Sequence, residues 1–515
     1  APLASSSNAL LAGSSNVRLP ISDAPITGLN ALLASSNTLL PVSGALLAGS
    51  NRLLTSSNTP KSAAEALKDD GWKEAMLKEL SGIHDKLHLR KAQPGDRPLT
   101  STWNFKTKDD GTKKARCCLR GFTQTAGVDY FNTSAPVISR ETTRAITAIC
   151  TVQERLKEVQ YDFKNAYCNA DMDVKMTMRI PAGYYEHITK TNPITREELK
   201  AYVLEVNGAL YGGKQSGALW HGHVRNWLTE NHFTQLPNEP CVFLKNNSSE
   251  YTIFLLYVDD IKGYTTDENA CDELLKNSKM DHKKVTSNTF VGLSYRTHEN
   301  GATIDQRKYT EDLIRKYGQQ DCKPTDTPMA YEPAQQDEID YDCDYNGIVG
   351  ALQYLSTGTR PDISLAVNKL AQHLKAYGKE HWVAAMKVIK YLNTTRDYAL
   401  QINKTKDIQI EAYVDASFGN EYDRRSRTGY LILVNGCPVA WESKKQSVIA
   451  LSSAEAEYIA LAACLQQVMW LKTLLKQLFG IEKQITIKID NQPAKRVAEN
   501  IDGSRMTRHI GIKYH

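Results

Sequence analysis

The sequence predicts a protein of several packed domains, of mixed α/β and α+β class. Its 515 residues are 41% hydrophobic, enough for about two to four cores. Between residues 62 and 323, short β-like runs alternate with helical stretches. From Ile408 onward, three strand-like runs (IQIEAYVDASFG, TGYLILVNG and CPVAWES) precede a helix and the strand ITIKID. This order of elements indicates a separate C-terminal sheet domain.

Residues 1–61 differ in composition from the rest of the chain. They repeat near-copies of one phrase: LLAGSSN, LLASSN, LLAGSN and LLTSSN. With almost no charged or aromatic side chains, such a segment has little to offset the entropy of ordering, so we expect a flexible tail or linker. A small β-solenoid is the alternative, although the irregular spacing of the copies argues against it.

The globular part begins with one amphipathic helix or two. In AAEALKDDGWKEAMLKELSGIHDKL, apolar residues recur at roughly helical spacing, as at Leu67, Trp72, Met76 and Leu80. Near Lys323, the proline-rich stretch KPTDTPMAYEPAQQDE is typical of a connector. A helical block follows it and ends before the C-terminal strands.

Composition narrows the classes of function. Lys and Arg number 63 against 58 Asp and Glu, and the resulting charge of +5 permits a nucleic-acid partner without requiring one. The ten cysteines include one close pair, Cys117 and Cys118, and show neither zinc spacing nor a disulfide framework. No apolar run approaches the length of a membrane span, and the N-terminus lacks a secretory signal. We therefore expect a soluble, intracellular protein with no membrane partner.

Two adjacent acids end an apolar run in FLLYVDDIKGY, residues 254–264. Asp259 and Asp260 can simply form the polar turn of a β-hairpin, where Asp is favoured. Alternatively they bind a divalent cation such as Mg²⁺, which explains why two like charges are tolerated side by side.

A third acid, Asp162, ends the run VQYD in a similar way. Nucleotidyl transfer by two Mg²⁺ ions requires carboxylates from different strands, and Asp162 and Asp259 can supply them. On its own, however, Asp162 fits a helix N-cap equally well.

Six ordered motifs resemble the Pol polyprotein of copia-type (Pseudoviridae) LTR retrotransposons. YVDD resembles motif C of reverse transcriptases, and DFKNAY, residues 162–167, resembles motif A. LYGGKQSGALW is similar to the LYGLKQ segment of motif B, and KARCCLRGFTQTAGVDYFNTSAPV is similar to the family's fingers segment. TRPDISLAVNKLAQ and SSAEAEYIAL are further family signatures. The resemblance covers the chain from about Trp72 to the end, some 440 residues, and the six motifs occur in order, so chance similarity is a poor explanation.

The resemblance implies a polymerase role for three acids. Asp162, Asp259 and Asp260 would be the catalytic and metal-binding carboxylates of a right-hand polymerase. The first two would be the principal ligands of two Mg²⁺ ions, which Mn²⁺ can replace.

The resemblance also implies four nucleotide-binding residues. Tyr167 matches the aromatic that packs beneath the sugar and excludes a 2′-hydroxyl; the alternative is a core tyrosine. Gln215 matches a residue that orients the incoming nucleotide. Arg116, with Lys108 or Lys113, would meet the triphosphate through charge-assisted hydrogen bonds.

The C-terminal region resembles an RNase H domain with a mixed five-stranded sheet and helices. Asp415, Glu457 and Asp490 match three of its catalytic, metal-binding carboxylates. Glu455 lies two residues earlier on the same predicted helix, so only one of the two glutamates can face the metals. Glu457 aligns better.

The implied domains follow the order of a polymerase with an attached nuclease. The FVGL stretch, Phe290, Val291, Gly292 and Leu293, resembles the primer grip, a hairpin that holds the primer end. The expected divisions are 1–61 repeat, 62–275 fingers and palm, 276–325 primer grip and thumb, 326–405 helical thumb and connection, and 406–515 RNase H.

Several positions depart from the family pattern. In LYGGKQSGALW, Gly217 and Ala218 follow the Ser where Pro-Arg is usual, and the pair Cys117 and Cys118 replaces Leu-Val. Lys262 follows YVDD-Ile261 where an apolar residue is usual, and HIG, which begins at His509, replaces the common His-Ile-Asp. The family's fourth RNase H acid falls beyond His515, so we expect a C-terminally incomplete domain with weak hybrid cleavage. A second hypothesis is therefore a catalytically idle nucleic-acid-binding or assembly protein on the same scaffold. Retention of all six acids favours the enzyme.

The resemblance also implies the partners and the location. We expect an RNA template, a DNA or RNA primer such as a tRNA, RNA–DNA hybrid and dNTPs. Integrase or capsid of the same element and a second copy in a homodimer are further candidate partners. The expected location is the cytoplasm, within virus-like particles if the element is intact, with the nucleus as an alternative.

Overall fold

The computed structural model describes residues 15–17, 59–108, 110–189, 193–286 and 288–499. The helices are α1 Ala63–Ala66, α2 Asp70–Ile83, α3 Arg140–Cys150, α4 Tyr184–Ile188, α5 Arg196–Leu199, α6 Ser216–Glu230, α7 Glu268–Asn277, α8 Arg307–Lys316, α9 Tyr345–Gly358, α10 Ser364–Ala371, α11 Lys379–Thr394, α12 Ser453–Phe479 and α13 Gln492–Glu499. Short 3₁₀ helices cover His84–Lys86, Gly121–Thr123, Ala166–Asn169 and Pro361–Ile363.

Within the described residues, the strands form five sheets. They are β1 Ser15–Val17, β2 Leu87–Lys91, β3 Ser101–Thr107, β4 Lys113–Leu119, β5 Lys157–Phe163, β6 Asp171–Met178, β7 Tyr202–Gly208, β8 Thr234–Leu236, β9 Glu239–Asn246, β10 Tyr251–Tyr257, β11 Asp260–Thr265, β12 His282–Lys284, β13 Thr289–Phe290, β14 Leu293–His298, β15 Gly301–Asp305, β16 Leu400–Asn403, β17 Ile410–Ser417, β18 Arg427–Val434, β19 Cys437–Lys445 and β20 Ile487–Ile489.

The chain divides into two compact units. The YVDD unit comprises Leu54–Ile138 and Arg155–Ser287, and the C-terminal unit comprises Ala1–Leu53, Ser139–Glu154 and Asn288–His515. Ser139–Glu154 therefore groups with the C-terminal unit, although the sequence assigned it to the 62–275 division. Buried Arg144 on α3 explains this grouping, because its guanidinium donates to the carbonyls of Val439 and Gly358. The other predicted boundaries stay predictions.

The YVDD unit is built on a six-stranded antiparallel sheet. The strand order is β12-β5-β11-β10-β9-β8. Its central strand β10 is apolar and buried over the six residues from Tyr251 to Leu256. The unit also contains the three-stranded sheet β2-β7-β6 and the hairpin β3-β4.

The C-terminal unit contains a helical cluster and two sheets. Helices α8 to α11 pack around buried apolar side chains such as Leu313, Leu352, Leu370 and Ile389. One sheet has the order β13-β14-β15-β16. The other, β1-β20-β17-β18-β19, is mixed, because β17 pairs in parallel with β20 and the other pairs are antiparallel.

The fifth strand of this mixed sheet comes from the N-terminal repeat. Ser15–Val17 pairs antiparallel with Ile487–Ile489. Three residues of the segment predicted to be a flexible tail are thus in a strand, since the outer edge of β20 offers unpaired backbone groups. The other repeat residues up to 58 lie outside the described residues, as do the HIG motif and every position after 499. The incomplete set of RNase H acids stays a prediction.

One helix in the described part of the chain, α12, is long and apolar enough to span a membrane. The expectation that no apolar run reaches this length is therefore wrong. The helix packs against β17 and β18, and its buried residues include Glu455 and Glu457. It thus has the contacts of a core helix covering one face of the sheet.

Candidate active sites

The YVDD acids lie at the tip of a tight hairpin. Tyr257 at the end of β10 pairs with Asp260 at the start of β11, which leaves Val258 and Asp259 as the turn residues. Val258 has a φ of 53°, a strained conformation for a β-branched residue and one usually occupied by glycine in such turns. The Trp220 indole N–H donates to the Val258 carbonyl and holds the turn.

Asp162 lies directly beside this tip. Strand β5 pairs with β11 so that Asp162 is opposite Asp260. The Phe163 N–H donates to the Asp259 carbonyl over 2.8 Å, which fixes the turn against the end of β5. The sheet therefore brings together the three acids that the sequence predicted, from two segments about a hundred residues apart.

Each end of this acidic group has a basic partner. The Arg116 guanidinium lies 3.9 Å from an Asp259 carboxylate oxygen, and Lys283 Nζ lies 3.2 Å from Asp162 Oδ2. Burial raises the pKa of Asp259. Burial, followed by the charges of Asp259 and Asp162, raises the pKa of Asp260 to about 7. An oxygen-preferring divalent cation fits these mutually repelling carboxylates.

Two tyrosines and Arg116 border the acids. The Tyr167 ring centroid is 4.8 Å from that of Tyr211, and the Arg116 guanidinium lies 4.2 Å from the Tyr211 ring. Burial, and then the Asp259 charge, raises the pKa of the Tyr167 hydroxyl. Tyr167 thus lies beside the acids, and its role in sugar selection stays a prediction. Tyr211 was quoted within motif B but not recognised as part of the site.

The lysine beside Arg116 is neither of the two predicted. Lys113 is paired with Asp69 over 2.6 Å, and Lys108 is exposed next to the β3-β4 turn. Lys114 shares a face of β4 with Arg116, because side chains two apart on a strand point the same way. Partial burial, followed by the like charges of Arg116 and Lys108, lowers the pKa of Lys114, and Asp259 opposes that shift.

Both ends of the Gln215 amide are bonded within the protein. Gln215 is fully buried, its Nε2 donates to the Asp129 carbonyl, and its Oε1 accepts from Gln124 Nε2, each over 2.9 Å. These bonds support residues 124–129. The predicted role of Gln215 in orienting the incoming nucleotide stays a prediction.

Lys262, at a position where the family usually has an apolar residue, forms a buried ion pair on the same sheet. Its side chain has no exposed surface, and Nζ contacts Glu158 Oε1 on the neighbouring strand. A paired lysine therefore replaces the usual apolar residue without leaving a buried charge uncompensated.

A second acidic cluster lies in the C-terminal unit. Asp415 is on β17, Glu457 is on α12 and Asp490 directly follows β20. Parallel pairing of Tyr413 with Lys488 brings Asp415 and Asp490 to the same end of neighbouring strands. One carboxylate oxygen from each of the three acids lies within 4.8 Å of the others. Among the described residues, the YVDD acids do not form such a close group.

Glu457 is the buried member of this cluster. Its Oε1 accepts the Ala416 N–H over 3.1 Å, while Oε2 is buried and meets no hydrogen-bond donor in the described ranges. Burial raises the pKa of Glu457 to about 8, and Asp415 and Asp490 add to the shift. An orphaned carboxylate oxygen between two acids fits a divalent cation. Glu455 instead accepts the Leu451 N–H beside the Ser452 cap of α12.

The FVGL stretch forms the predicted hairpin, within the C-terminal unit. Phe290 pairs with Leu293, and both are buried. Val291 and Gly292 form the turn with φ values of 52° and 71°. A Cβ on Gly292 would lie 2.0 Å from the Tyr354 hydroxyl oxygen, so this position requires glycine. Contact of this hairpin with a primer stays a prediction.

Comparison with known proteins identifies the region that contains the YVDD acids. Residues 86–331 match the family model described as reverse transcriptase (RNA-dependent DNA polymerase). The chain is 31% identical over 476 residues to the Pol polyprotein of transposon RE2 from Arabidopsis thaliana, covering 88% of this chain and 32% of that protein. It is 29% identical over 466 residues to the Pol polyprotein of transposon TNT 1-94 from Nicotiana tabacum, covering 86% and 34%.

A shorter relative is matched over its whole length. The chain is 30% identical over 320 residues to the putative transposon Ty5-1 protein of Saccharomyces cerevisiae, covering 60% of this chain and 100% of that protein. The chain spans about a third of the length of the Pol polyproteins from Arabidopsis and tobacco. A solved foamy viral protease–reverse transcriptase aligns with a TM-score of 0.42 and 13% identity over 78% of this chain and 60% of that chain, a likeness too weak to build on.

Proposed function

Because the chain belongs to the copia-type Pol polyproteins of LTR retrotransposons and carries their reverse transcriptase domain, we propose that it copies element RNA into DNA. The observation that carries the proposal is the convergence of Asp162, Asp259 and Asp260 at one end of the central sheet. In this reading the YVDD unit combines fingers and palm, and the C-terminal unit combines thumb, connection and RNase H.

Asp162 and Asp259 are proposed to hold two divalent ions, with Mg²⁺ the natural choice for oxygen ligands. When bound, these ions would acidify the primer hydroxyl and stabilise the leaving oxygen. The chain's own cations provide the electrostatic part of the site. Arg116 and Lys114 lie on one face of β4 toward Asp259, and they would bind the triphosphate of an incoming dNTP.

Tyr167 is proposed to select the sugar. Its ring packs against Tyr211, which in turn contacts Arg116, so the ring is held from behind rather than free to rotate. A fixed ring beside the bound nucleotide excludes a 2′-hydroxyl by steric clash. Deoxynucleotides would then be preferred over ribonucleotides.

The C-terminal cluster is proposed to cleave the RNA strand of an RNA–DNA hybrid. Asp415, Glu457 and Asp490 offer three oxygens within 4.8 Å of one another, which suits metal-assisted hydrolysis. Placing this cleavage in the same chain would remove template RNA after it has been copied. The substrates of the chain would therefore be an RNA template, a primer, dNTPs and the hybrid product.

Primer extension tests the polymerase assignment directly. The 515-residue chain should extend a DNA primer on an RNA template with Mg²⁺ and should stop with EDTA. Asp259→Asn should abolish extension while template binding, measured by fluorescence anisotropy, stays within about twofold, because the substitution removes charge and keeps shape. Extension by Asp259→Asn at the parental rate would overturn the assignment. Metal-independent binding with no extension by the parental chain would favour the idle nucleic-acid-binding alternative.

A further inference from the structure

Gln446 bonds three segments around the second acidic cluster. It directly follows β19 and is buried. Its backbone N–H donates to the Ser426 carbonyl over 2.8 Å. Its side-chain Nε2 donates to the Ala456 carbonyl on α12 over 2.9 Å and to the Thr428 hydroxyl on β18 over 3.2 Å. One buried amide therefore joins the sheet to the helix that carries Glu457.

The acceptor end of the same amide has no partner. Gln446 Oε1 is buried and receives no hydrogen bond from any described residue. A buried oxygen without a donor lowers the free energy of unfolding. Methionine has nearly the same length and no amide, so it would fill the position without that cost. Stability alone therefore does not explain a glutamine here, and its donor end points to a role in arranging the acids.

A closed ring of contacts links Gln446 to Glu457. On the helix side, Gln446 bonds Ala456, the residue before Glu457. On the sheet side, it bonds Thr428, which pairs with Ala416 on β17. The Ala416 N–H closes the ring by donating to Glu457 Oε1 over 3.1 Å. Movement of α12 away from the sheet would therefore break the amide bridge together with the bond that holds the carboxylate.

The N-terminal cap of α12 joins the helix to the loop before it. The Ser452 hydroxyl accepts the Glu455 N–H, and the Glu455 carboxylate accepts the Leu451 N–H. Neither bond reaches the sheet. The spacing between the acid on β17 and the acid on α12 therefore depends on bonds that cross from helix to sheet, and the Gln446 amide supplies one of them.

A neutral donor suits a bridge beside this cluster. Asp415, Glu457 and Asp490 offer three oxygens within 4.8 Å of one another. A cationic side chain beside them would compete with a divalent cation for the same oxygens, whereas a further carboxylate would add to their repulsion. The Gln446 amide donates its hydrogen bonds without adding charge of either sign.

We propose that Gln446 is a positioning residue for metal binding by the C-terminal acids. Through its bridge between α12 and β18, it fixes Glu457 at the distance from Asp415 at which one divalent cation can contact both carboxylates. The proposal rests on the hydrolytic function proposed above for this cluster, and it adds a residue that acts through the backbone rather than as a ligand. Without metal, like charges favour separation, so holding the acids close before the ion arrives lowers the cost of binding it.

Metal binding without catalysis tests this role. The full chain carries Asp162→Asn with Asp259→Asn, so that Mn²⁺ titrated in a calorimeter reports on the C-terminal acids. Gln446→Met should weaken Mn²⁺ binding by about tenfold, a usual loss when a residue that orients a metal ligand is removed, while the unfolding midpoint in EDTA stays the same or rises. Fully buried Val434, at the far end of β18, provides the matched control. Val434→Ala should lower the midpoint and leave Mn²⁺ binding within about twofold.

A double substitution shows whether the bridge acts as one unit. Thr428→Val keeps the shape of the side chain and removes the acceptor at the sheet end of the bridge, so it should also weaken Mn²⁺ binding. Added to Gln446→Met, it should cause little further loss, because the first substitution has already broken both ends of the bridge.

Three outcomes would overturn the positioning role: unchanged Mn²⁺ affinity in Gln446→Met, a fall in its unfolding midpoint as large as that of Val434→Ala, or independent losses of affinity in the double variant. Absence of Mn²⁺ binding before Gln446 is changed would overturn the metal site and this role together. Hybrid cleavage is measured separately, in chains that keep the YVDD acids. Mn²⁺ binding that depends on Gln446 without any cleavage supports the positioning role and refutes the nuclease. Cleavage together with Mn²⁺ binding that does not depend on Gln446 refutes the positioning role alone.

Discussion

The two acidic clusters of this chain differ in how their charge is balanced. Around YVDD, Asp259 lies near Arg116 and Asp162 near Lys283. In the C-terminal unit, no Lys, Arg or His nitrogen among residues 15–17 and 59–499 that the structure describes lies within 4.0 Å of the Asp415, Glu457 or Asp490 carboxylates. Where Arg or Lys side chains lie beside the acids, the carboxylates are tolerated without metal. Where they do not, bound protons or a metal ion must relieve the repulsion between the carboxylates.

This difference matches the chemistry proposed for each cluster. A polymerase must bind a triphosphate that brings its own negative charge, so cations beside the acids serve the substrate as well as the protein. A hybrid nuclease acts on single phosphates of a backbone, and three close oxygens suffice to define its site. The comparison therefore predicts that substitutions at the two clusters have different consequences.

The largest expected effect is on polymerisation when a YVDD acid loses its charge. Asp162→Asn should reduce primer extension by about a thousandfold, since metal-assisted charge stabilisation contributes several kcal/mol. Hybrid cleavage should stay within about twofold. The two rates are measured in separate single-turnover assays, one of primer extension and one of hybrid cleavage. A comparable loss of both activities would remove the distinction between the clusters.

The next effect concerns sugar selection, which only the YVDD cluster should perform. Tyr167→Ala opens the space of a 2′-hydroxyl, so the preference for dNTP over rNTP should fall by tens of fold. Tyr167→Phe should change it little, because ring volume does the excluding. Ratios of kcat/KM for matched dNTP and rNTP give the result. Undiminished preference in the Ala variant would locate the selection elsewhere.

A smaller effect distinguishes two adjacent lysines of β4. Lys114→Gln should raise KM for dNTP by about tenfold with little change in kcat, because it removes a charge on the Arg116 face. Lys113→Gln is the matched control, since Lys113 is paired with Asp69 on the other face. Equal increases in the KM for dNTP in the two variants would show that Lys114 and Arg116 do not form a binding site for the triphosphate.

The smallest effect is on stability without metal. Above the raised pKa of Glu457, which is about 8, Glu457→Gln removes a charge from a cluster that has no described basic partner. In EDTA at about pH 9, the unfolding midpoint should therefore rise by about 2–4 °C. Asp162→Asn, which leaves Lys283 unpaired, should give no such rise. Adding Mg²⁺ should reduce the difference in unfolding midpoint between the variant and the parental chain, because only the parental cluster binds the ion fully. A fall in the midpoint of Glu457→Gln in EDTA would contradict this account of the C-terminal cluster.

The sequence predicted best where local pattern and motif coincide. The YVDD hairpin and the order of three strands, helix and strand follow from apolar runs bounded by turn residues. The FVGL hairpin was expected from the resemblance to the primer grip. Preference for Glu457 over Glu455 also agrees with the geometry, since residues two apart on a helix point in different directions.

What the sequence missed depends on contacts between distant segments. Pairing of Asp260 with Asp162, and of Lys283 with Asp162, is set by strand register across the sheet and leaves no local signal. Lys114 was recoverable from strand alternation with Arg116. The bonds of Gln215 were also not predictable, because a motif match identifies a residue but does not show that its amide is buried and bonded to residues 124–129.

One experiment tests the separation of the two sites most directly. A single primer annealed to a long labelled RNA template lets extension and RNA cleavage be followed in the same Mg²⁺ reaction for the parental chain, Asp259→Asn and Asp415→Asn. We predict that Asp259→Asn loses extension and still cleaves the initial hybrid, whereas Asp415→Asn extends at the parental rate and leaves the RNA intact. The account of two independent carboxylate sites would be contradicted if either variant lost both extension and RNA cleavage. It would also be contradicted if both variants kept both activities.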